Sequence, residues 1–100
     1  MPKIYEYFGL IFLFYANDHA PIHVHVKHGE SENKLEFVYV NGKLKDIVVK
    51  KIRGKSELSK SKLYEAIAFA KAKESKITEK WFDFFAKNKK ITCEKITKKV

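Results

Sequence analysis

The sequence predicts an α+β domain in which a mainly antiparallel sheet of about four strands is packed on one face by one or two C-terminal helices. Three observations lead to this prediction. Residues 4–40 carry the alternating or continuous apolar patterns of strands, Asn41-Gly42 is a strong hairpin signal, and residues 59–86 have apolar side chains at helical spacing. The chain has 100 residues, so we expect a single domain over residues 1–100.

The first strand segment is predicted in residues 4–15, whose sequence is dense in aromatic and branched side chains. Its continuous apolar second half predicts a strand buried on both faces near the middle of the sheet, and Gly9 predicts a bend. The next strand starts near residue 22, where apolar residues alternate with His23 and His25. We expect Val24 and Val26 to face the core and the two histidines to face outward.

A third strand is predicted over residues 34–40, and a fourth runs from the Asn41-Gly42 turn to about residue 52. Residues 29–33 are polar and are predicted to form a turn. A two-residue turn at Asn41-Gly42 predicts the register, pairing Val40 with Lys43, Tyr39 with Leu44, Phe37 with Asp46 and Leu35 with Val48. This register places one set of side chains on the face expected to meet the helices, namely Leu35, Phe37, Tyr39, Leu44 and Val48.

Ser59 is a suitable N-cap for the helical region, with Leu58 and Leu63 placed as a hydrophobic staple across its start. The buried stripe of the first helix is predicted to be Leu63, Ala66, Ile67 and Ala70. The helix either pauses near residues 74–78, with Thr78 as a new cap, or continues to about residue 86. A second apolar stripe is predicted to be core, while Phe82 lies off it as a candidate partner contact; this stripe is Trp81, Phe84 and Phe85. Residues 91–100 are predicted to form a short strand or a basic tail.

Composition limits the class of protein. A hydrophobic content of 45% with 14% aromatic residues argues against disorder. The single cysteine, Cys93, excludes an internal disulfide and a cysteine-rich zinc site, which fits a reducing cytoplasm. The apolar run in residues 10–15 is too short to cross a bilayer, so we expect a cytoplasmic protein without a membrane partner.

The net charge of +9 and the pI of about 9.6 would attract RNA, DNA or an acidic protein. Only Arg53 among the 21 basic residues is an arginine, however, and bidentate recognition of phosphates and bases favours arginine. Coding bias is therefore as good an explanation of the lysine excess as selection for nucleic acid. If RNA is the partner, we expect its phosphates to contact Lys27, Lys43 and Lys45.

All four histidines lie in residues 17–28. His23 and His25, two residues apart on a strand, would lie on one face roughly 6.5–7 Å apart, so their imidazoles can converge on one ion or one scissile group. Pro21 predicts a tight loop that lets His19 fold back over them. Three imidazoles, with the carboxylate of Asp18, would suit zinc, manganese or another divalent metal with one position left open.

Two alternatives to a metal site remain. His19, His23 and His25 could instead act without a metal as general base and general acid, as ribonuclease chemistry requires. The histidines could also be solvated, or make one hydrogen bond to a neighbouring carbonyl. His28 falls on the valine side of the alternation and is the least favoured member of the group.

The segment FGLIFLFY-x-NDH-x-P-x-HVHV, within residues 7–26, resembles a family of small bacterial and archaeal proteins known as domain of unknown function four-one-six-zero. The resemblance includes Gly9, Asp18, His19, Pro21 and the two strand histidines, and it extends more weakly through Trp81 to residues 90–91. The chain departs from the family pattern at Ile22, where a proline or polar residue is more typical, and in its lysine content.

The resemblance implies no established activity. It implies that members often look like one half of a two-gene toxin–antitoxin-type module, beside another small protein. Our first hypothesis is therefore a toxin-like component that acts on RNA or the translation apparatus through His19, His23 and His25. Its partner would be a small cognate protein encoded nearby. The second is a non-catalytic module whose sheet edge and basic helix face bind an acidic partner protein, and the third is a plain nucleic-acid-binding domain.

Overall fold

The computed structural model describes residues 2–16 and 21–100 of the chain. Six strands and two helices lie within these residues. The strands are β1 (Lys3–Tyr7), β2 (Leu10–Leu13), β3 (His23–His28), β4 (Ser31–Val40), β5 (Lys43–Lys51) and β6 (Glu94–Ile96), and the helices are α1 (Lys60–Ala72) and α2 (Glu74–Phe85). They confirm the predicted α+β class and the C-terminal position of the helices.

One sheet contains all six strands in the order β5-β4-β3-β2-β1-β6. Neighbouring strands are antiparallel except for β1 and β6, which are parallel. The mainly antiparallel sheet is thus confirmed, and β2 and β3 lie in its interior. Because both edges of β3 are paired, its backbone is fixed on both sides and its side chains have defined directions.

The predicted count of four strands is too low. Residues 4–15, predicted as one segment, turn back at Phe8 and Gly9, where φ is 46° and 85°, so that β1 pairs with β2. The bend predicted at Gly9 is therefore a full reversal of direction. Glycine suits this position because it adopts a left-handed backbone without the steric cost that other residues have. The sixth strand is β6, a three-residue element from the predicted strand or tail, which pairs with β1.

Phe69 of α1 is the centre of the aromatic packing on the helix-covered face. Its ring centroid lies 4.4 Å from that of Tyr7, 4.8 Å from that of Phe12 and 5.2 Å from that of Tyr5. Phe69 was not part of the predicted stripe, because that stripe was traced through the smaller residues beside it. The predicted members fit the core: Ala66 and Ala70 are buried, and Leu63 and Ile67 pack against it.

The β4–β5 hairpin has the predicted turn but a different register beyond it. Val40 pairs with Lys43 and Tyr39 with Leu44, as predicted, but a register shift between Val38 and Tyr39 then advances β5 by one residue. The observed pairs include Val38 with Asp46, Phe37 with Ile47 and Leu35 with Val49. An extra residue of this kind is a β-bulge, which turns the following side chains to the other face. Ile47 and Val49 therefore take the core positions predicted for Val48.

The helical region pauses at Lys73, whose φ of −106° and ψ of 17° lie outside the helix. Ser59 is the N-cap as predicted, since its hydroxyl accepts a hydrogen bond from the Lys62 N–H at 3.3 Å. Thr78 does not cap the second helix, because α2 already begins at Glu74 and the Thr78 hydroxyl donates to the Glu74 carbonyl at 2.8 Å. Neither helix is long and apolar enough to span a membrane, within the residues given above.

The second apolar stripe is core, as predicted: Trp81 is buried, and Phe84 and Phe85 pack against the cluster. Phe82, predicted to lie off the stripe, is 45% exposed.

Candidate functional site

Strand β3 presents opposite chemistry on its two faces. Val24 and Val26 are fully buried in the core that the helices cover. His23, His25 and Lys27 point to the other face by the alternation of the strand. Across the ladders, His25 is paired with Leu13 of β2 and with Lys34 of β4. The site is therefore built on an interior strand, which positions side chains more rigidly than a loop.

His25 is hydrogen-bonded to a carboxylate that sequence reasoning missed. Its Nδ1 lies 3.1 Å from Oε2 of Glu32, and the Tyr15 hydroxyl donates to the same oxygen at 2.9 Å. The Tyr15 and His25 rings are in a T-shaped contact, with centroids 4.4 Å apart and planes at 87°. Tyr15, His23, His25 and Glu32 are called the histidine cluster below.

His23 is oriented by the backbone. Its Nδ1 lies 2.8 Å from the carbonyl oxygen of Pro21, and a carbonyl can only accept, so Nδ1 carries the proton. In the neutral ring, Nε2 then holds the lone pair. The same logic applies to His25 when Glu32 is ionised, and the two imidazole centroids are 5.3 Å apart. The carbonyl thus selects for His23, and an ionised Glu32 for His25, the tautomer whose Nε2 can bind a metal or accept a proton.

The cluster is buried, which corrects the expectation that the histidines face solvent. His23 is 3% exposed, His25 is 6% exposed and Glu32 is 2% exposed. Leu13, which is paired with His25, is also buried, and the Tyr15 ring contacts the His25 imidazole. Alternation predicted the correct face of β3 but not its burial, because alternation carries no information about what covers a face.

Burial makes the hydrogen bonds of this cluster energetically important. A buried carboxylate loses its hydration and needs donors in exchange. Glu32 Oε2 accepts two hydrogen bonds, but Oε1 is buried and has no hydrogen-bond partner within residues 2–16 and 21–100. Such an atom is tolerated at a cost in stability and is typical of functional sites.

The other two predicted ligands, Asp18 and His19, lie outside the described residues. Among residues 2–16 and 21–100, no group of three or more His, Cys, Asp or Glu side chains is arranged to hold a metal ion. The described part of the predicted donor set is therefore His23 and His25, and the metal site stays a prediction that needs at least one further ligand. His28 is on the opposite face, with its ring 3.6 Å from the Cβ position of a side chain at Gly9.

The three lysines predicted to contact phosphate are not together. Lys27 is half-buried at the end of the histidine row, whereas Lys43 and Lys45 are exposed at the far end of the β4–β5 hairpin. Lys27 is paired with Glu32 and Lys43 with Val40, and the eight residue steps from Glu32 to Val40 span roughly 26 Å of β4. Of these three lysines, Lys27 is the one that lies near the histidine cluster.

Sequence reasoning missed Glu32 because residues 29–33 were predicted to be a turn, whereas β4 begins at Ser31. Once the strand is extended to Ser31, antiparallel pairing makes Glu32 a diagonal neighbour of His25. Tyr15 was assigned to the core strand, yet it is half-buried beyond the end of β2. The available signal was a tyrosine and a glutamate flanking a histidine strand, which is too common a pattern to be specific.

The family comparison covers most of this architecture. The family model described as Domain of unknown function (DUF4160) matches residues 9–82. The matched segment runs from the β1–β2 turn into α2 and contains the whole histidine cluster. No curated protein and no solved structure matches the chain. The match spans well over half of the chain, so the chain belongs to the family described as Domain of unknown function (DUF4160).

Proposed function

We propose that this protein is the toxin-like component of a two-gene module and acts on RNA through a divalent-metal site built on His23 and His25. The observation that carries the proposal is the hydrogen bonding of the two rings. Each Nδ1 bonds to an oxygen, Pro21 O for His23 and Glu32 Oε2 for His25, which directs the lone pair to Nε2 in both. Metal-ligating histidines almost always have this second hydrogen bond to a carbonyl or a carboxylate.

The proposed ligands are His23, His25, His19 and Asp18, a set of imidazoles and a carboxylate that suits zinc or manganese. Glu32 acts here as a positioning residue, since it holds the tautomer and the ring plane of His25. Tyr15 in turn holds Glu32. When bound, such an ion supplies Lewis-acid chemistry toward a phosphoryl oxygen. The burial of both rings favours a small ion over a bulky group as their immediate contact.

RNA is the proposed substrate because of the charge of the chain. The net charge of +9 attracts a polyanion over several ångströms, and Lys27 follows His23 and His25 on the same face of β3. The same tautomers would also serve metal-free catalysis, with an imidazole Nε2 as proton acceptor and the other imidazolium as proton donor. A metal titration separates these two mechanisms.

The first experiment compares metal binding of the wild-type protein with that of His23→Ala/His25→Ala by elemental analysis and calorimetry with zinc and manganese. His28→Ala is the matched control, because it removes a histidine from the opposite face of the same strand. We expect one metal per chain in the wild type and the control, and none in the double variant. Thermal unfolding of each variant establishes that it is folded.

The second experiment measures RNA cleavage and growth arrest. We expect wild-type protein to cleave RNA with added metal, and the His19→Ala/His23→Ala/His25→Ala variant to neither cleave RNA nor arrest growth. RNA cleavage that persists in chelator would replace the metal mechanism by acid–base catalysis. Growth arrest by the triple variant as strong as by the parent would end the proposal.

A second candidate function is a non-catalytic module that binds an acidic partner protein. It is favoured by the position of β5, which ends the strand order of the sheet and carries Lys43, Lys45, Lys50 and Lys51. Val38 and Val40 on the neighbouring strand are 36% and 45% exposed, which is suited to contact with another chain. A tight equimolar complex with the cognate protein, without turnover of RNA by the free protein, would favour this function over the first.

A further inference from the structure

An open groove of about 540 Å³ begins where the histidine row of β3 ends. It lies between the turn that joins β3 to β4 and the segment that follows β5. Among the described residues, six line it: Lys27, Gly29, Glu30, Gly54, Lys55 and Ser56. Lys27 lies two residues beyond His25 on the same face of β3, roughly 6.5–7 Å along the strand. The groove therefore adjoins the histidine cluster.

Hydrogen bonds fix the two walls of the groove relative to each other. The Glu32 N–H donates to the Ser56 carbonyl at 3.0 Å, and the hydroxyls of Ser31 and Ser56 are 3.0 Å apart. The wall formed by the segment after β5 contains a turn in which the Lys55 N–H donates to the Ile52 carbonyl at 3.1 Å. Glu32 bonds to His25 with its side chain and to this wall with its backbone, so one residue links the groove to the cluster.

The groove is positively charged and open. Lys27 and Lys55 make no ion pair with any of residues 2–16 and 21–100, and Glu30 is the one acidic residue among the six that line it. Arg53, exposed on the same turn as Lys55, adds a further positive charge. A Cβ built at Gly29 or Gly54 would meet nothing within 4 Å, so neither glycine is packed against a neighbour. Two ammonium groups that form no ion pair with the described residues, beside accessible backbone, are suited to a phosphate group.

We propose that this groove binds the phosphate backbone of single-stranded RNA and leads the strand to the histidine cluster. The proposal rests on the proposed RNA-directed function and adds a binding site to it. Lysine binds phosphate as a point charge, so the groove provides affinity and direction but no base specificity. Lys43 and Lys45, at the far end of the hairpin, take no part in it.

The test is the affinity for a 2′-O-methyl phosphorothioate oligonucleotide, which resists hydrolysis, measured by fluorescence anisotropy across a salt series. The groove variant is Lys27→Gln/Lys55→Gln. The matched control is Lys43→Gln/Lys45→Gln, which removes the same charge about 26 Å along the sheet. The loss of two phosphate contacts to a single strand is expected to reduce the salt slope by about 1.4 and to weaken binding about 20-fold near 0.1 M salt. The control is expected to lose about threefold or less.

Three results would overturn the proposal. The first is an equal loss of oligonucleotide affinity in the groove variant and the control variant. The second is no binding of the oligonucleotide by the wild-type protein. The third is binding of an oligoglutamate peptide that is weakened by Lys27→Gln/Lys55→Gln as much as oligonucleotide binding is. Failure of the proposed function has a different signature. If His23→Ala/His25→Ala and wild type bind no metal and RNA is not cleaved, yet the oligonucleotide still binds through Lys27 and Lys55, the groove stands and the catalytic function does not.

Discussion

The two faces of β3 are both buried, but by different means. Val24 and Val26 are fully buried against apolar side chains of the sheet and helices. His23 and His25 are 3% and 6% exposed on the other face, where their neighbours include a tyrosine hydroxyl and a carboxylate. Burial of the valines releases water from apolar surface and needs no hydrogen bonds. Burial of the imidazoles and of Glu32 costs free energy unless hydrogen bonds replace those to water.

This difference separates the part of the strand that stabilises the fold from the part that forms the candidate site. An apolar pair in place of the histidines would be equally compatible with the strand pairing. Stability alone therefore does not explain the buried Glu32 carboxylate, whose Oε1 lacks a hydrogen-bond partner in the described residues. Local departures from the simplest packing are expected at functional sites, where they cost stability. The comparison predicts that changes on the helix-covered face reduce stability most.

The largest expected effect is on the helix-covered face, for Phe69→Ala. The ring is fully buried and contacts the rings of Tyr5, Tyr7 and Phe12. Its removal should cost about 3–5 kcal/mol through lost burial and a residual cavity. Urea denaturation measures the loss, with Tyr64→Ala on the same helix as control, since Tyr64 is 77% exposed and should change stability by less than about 0.5 kcal/mol.

The next effect is on the histidine face, for Glu32→Leu. This change removes the acceptor of the Tyr15 hydroxyl and of His25 Nδ1, and it should cost about 1–3 kcal/mol. The triple change Tyr15→Phe/His25→Leu/Glu32→Leu removes donors and acceptor together. It should leave stability within about 1 kcal/mol of the wild type, because apolar groups then replace both sides of each bond.

Equilibrium unfolding of the four proteins, wild type, Glu32→Leu, Tyr15→Phe/His25→Leu and the triple variant, gives the coupling between the acceptor and its donors. A triple variant that is less stable than Glu32→Leu would contradict the view that the cluster is maintained at a cost in stability. In that case the two faces of β3 would contribute to the fold in the same way.

The same contrast explains how much of the structure the sequence predicts. Apolar periodicity is a property of single residues and short windows, so it predicted the strand character of β3, the interior position of β2 and the stripe with Trp81. The turn at Asn41-Gly42 was predicted for the same reason, because its backbone preference is local. These features depend on residues that are close in sequence.

The features that were not predicted depend on long-range pairing. The Tyr15–Glu32 hydrogen bond joins residues 17 positions apart, and it exists only because β3 lies beside both β2 and β4. The bulge in β5 moved Val48 out of the core in favour of Ile47 and Val49, although all three are β-branched and equally suited to a strand. Likewise, the burial of His23 and His25 follows from what covers the sheet, which no local pattern encodes.

A smaller effect on the helix-covered face is expected for Tyr39→Phe. The hydroxyl of Tyr39 donates to Oε2 of Glu74 at 2.8 Å and lies 2.8 Å from the Thr78 hydroxyl, so it joins β4 to α2. Its loss should cost about 0.5–1.5 kcal/mol at neutral pH. Burial raises the pKa of Tyr39 from 10.0 to about 12, so its contribution is fully present below pH 10 and lost as pH rises toward 12.

Urea denaturation between pH 7 and pH 12 checks this prediction. The wild type should lose its advantage over Tyr39→Phe in that window, while Tyr5, whose pKa burial also raises to about 12, titrates in both proteins. A stability difference that stays constant up to pH 12 would show that the Tyr39 hydroxyl is not held in its neutral form by the fold.

The smallest expected effect is again on the histidine face, for Lys34→Met. Lys34 is paired with His25 across the β3–β4 ladder, and its Nζ lies 3.3 Å from Oε2 of Glu36, which is paired with His23. The Lys34 and Glu36 side chains are 30% and 20% exposed, so the change should cost less than about 1 kcal/mol and less still in 1 M salt. Under the proposed metal site, Lys34→Met should bind zinc with the same affinity as the wild type, because neither Lys34 nor Glu36 orients an imidazole nitrogen. Calorimetry beside urea denaturation measures both quantities. If Lys34→Met lost metal binding together with stability, the function of this face would depend on its general charge and not on the hydrogen bonds that orient His23 and His25.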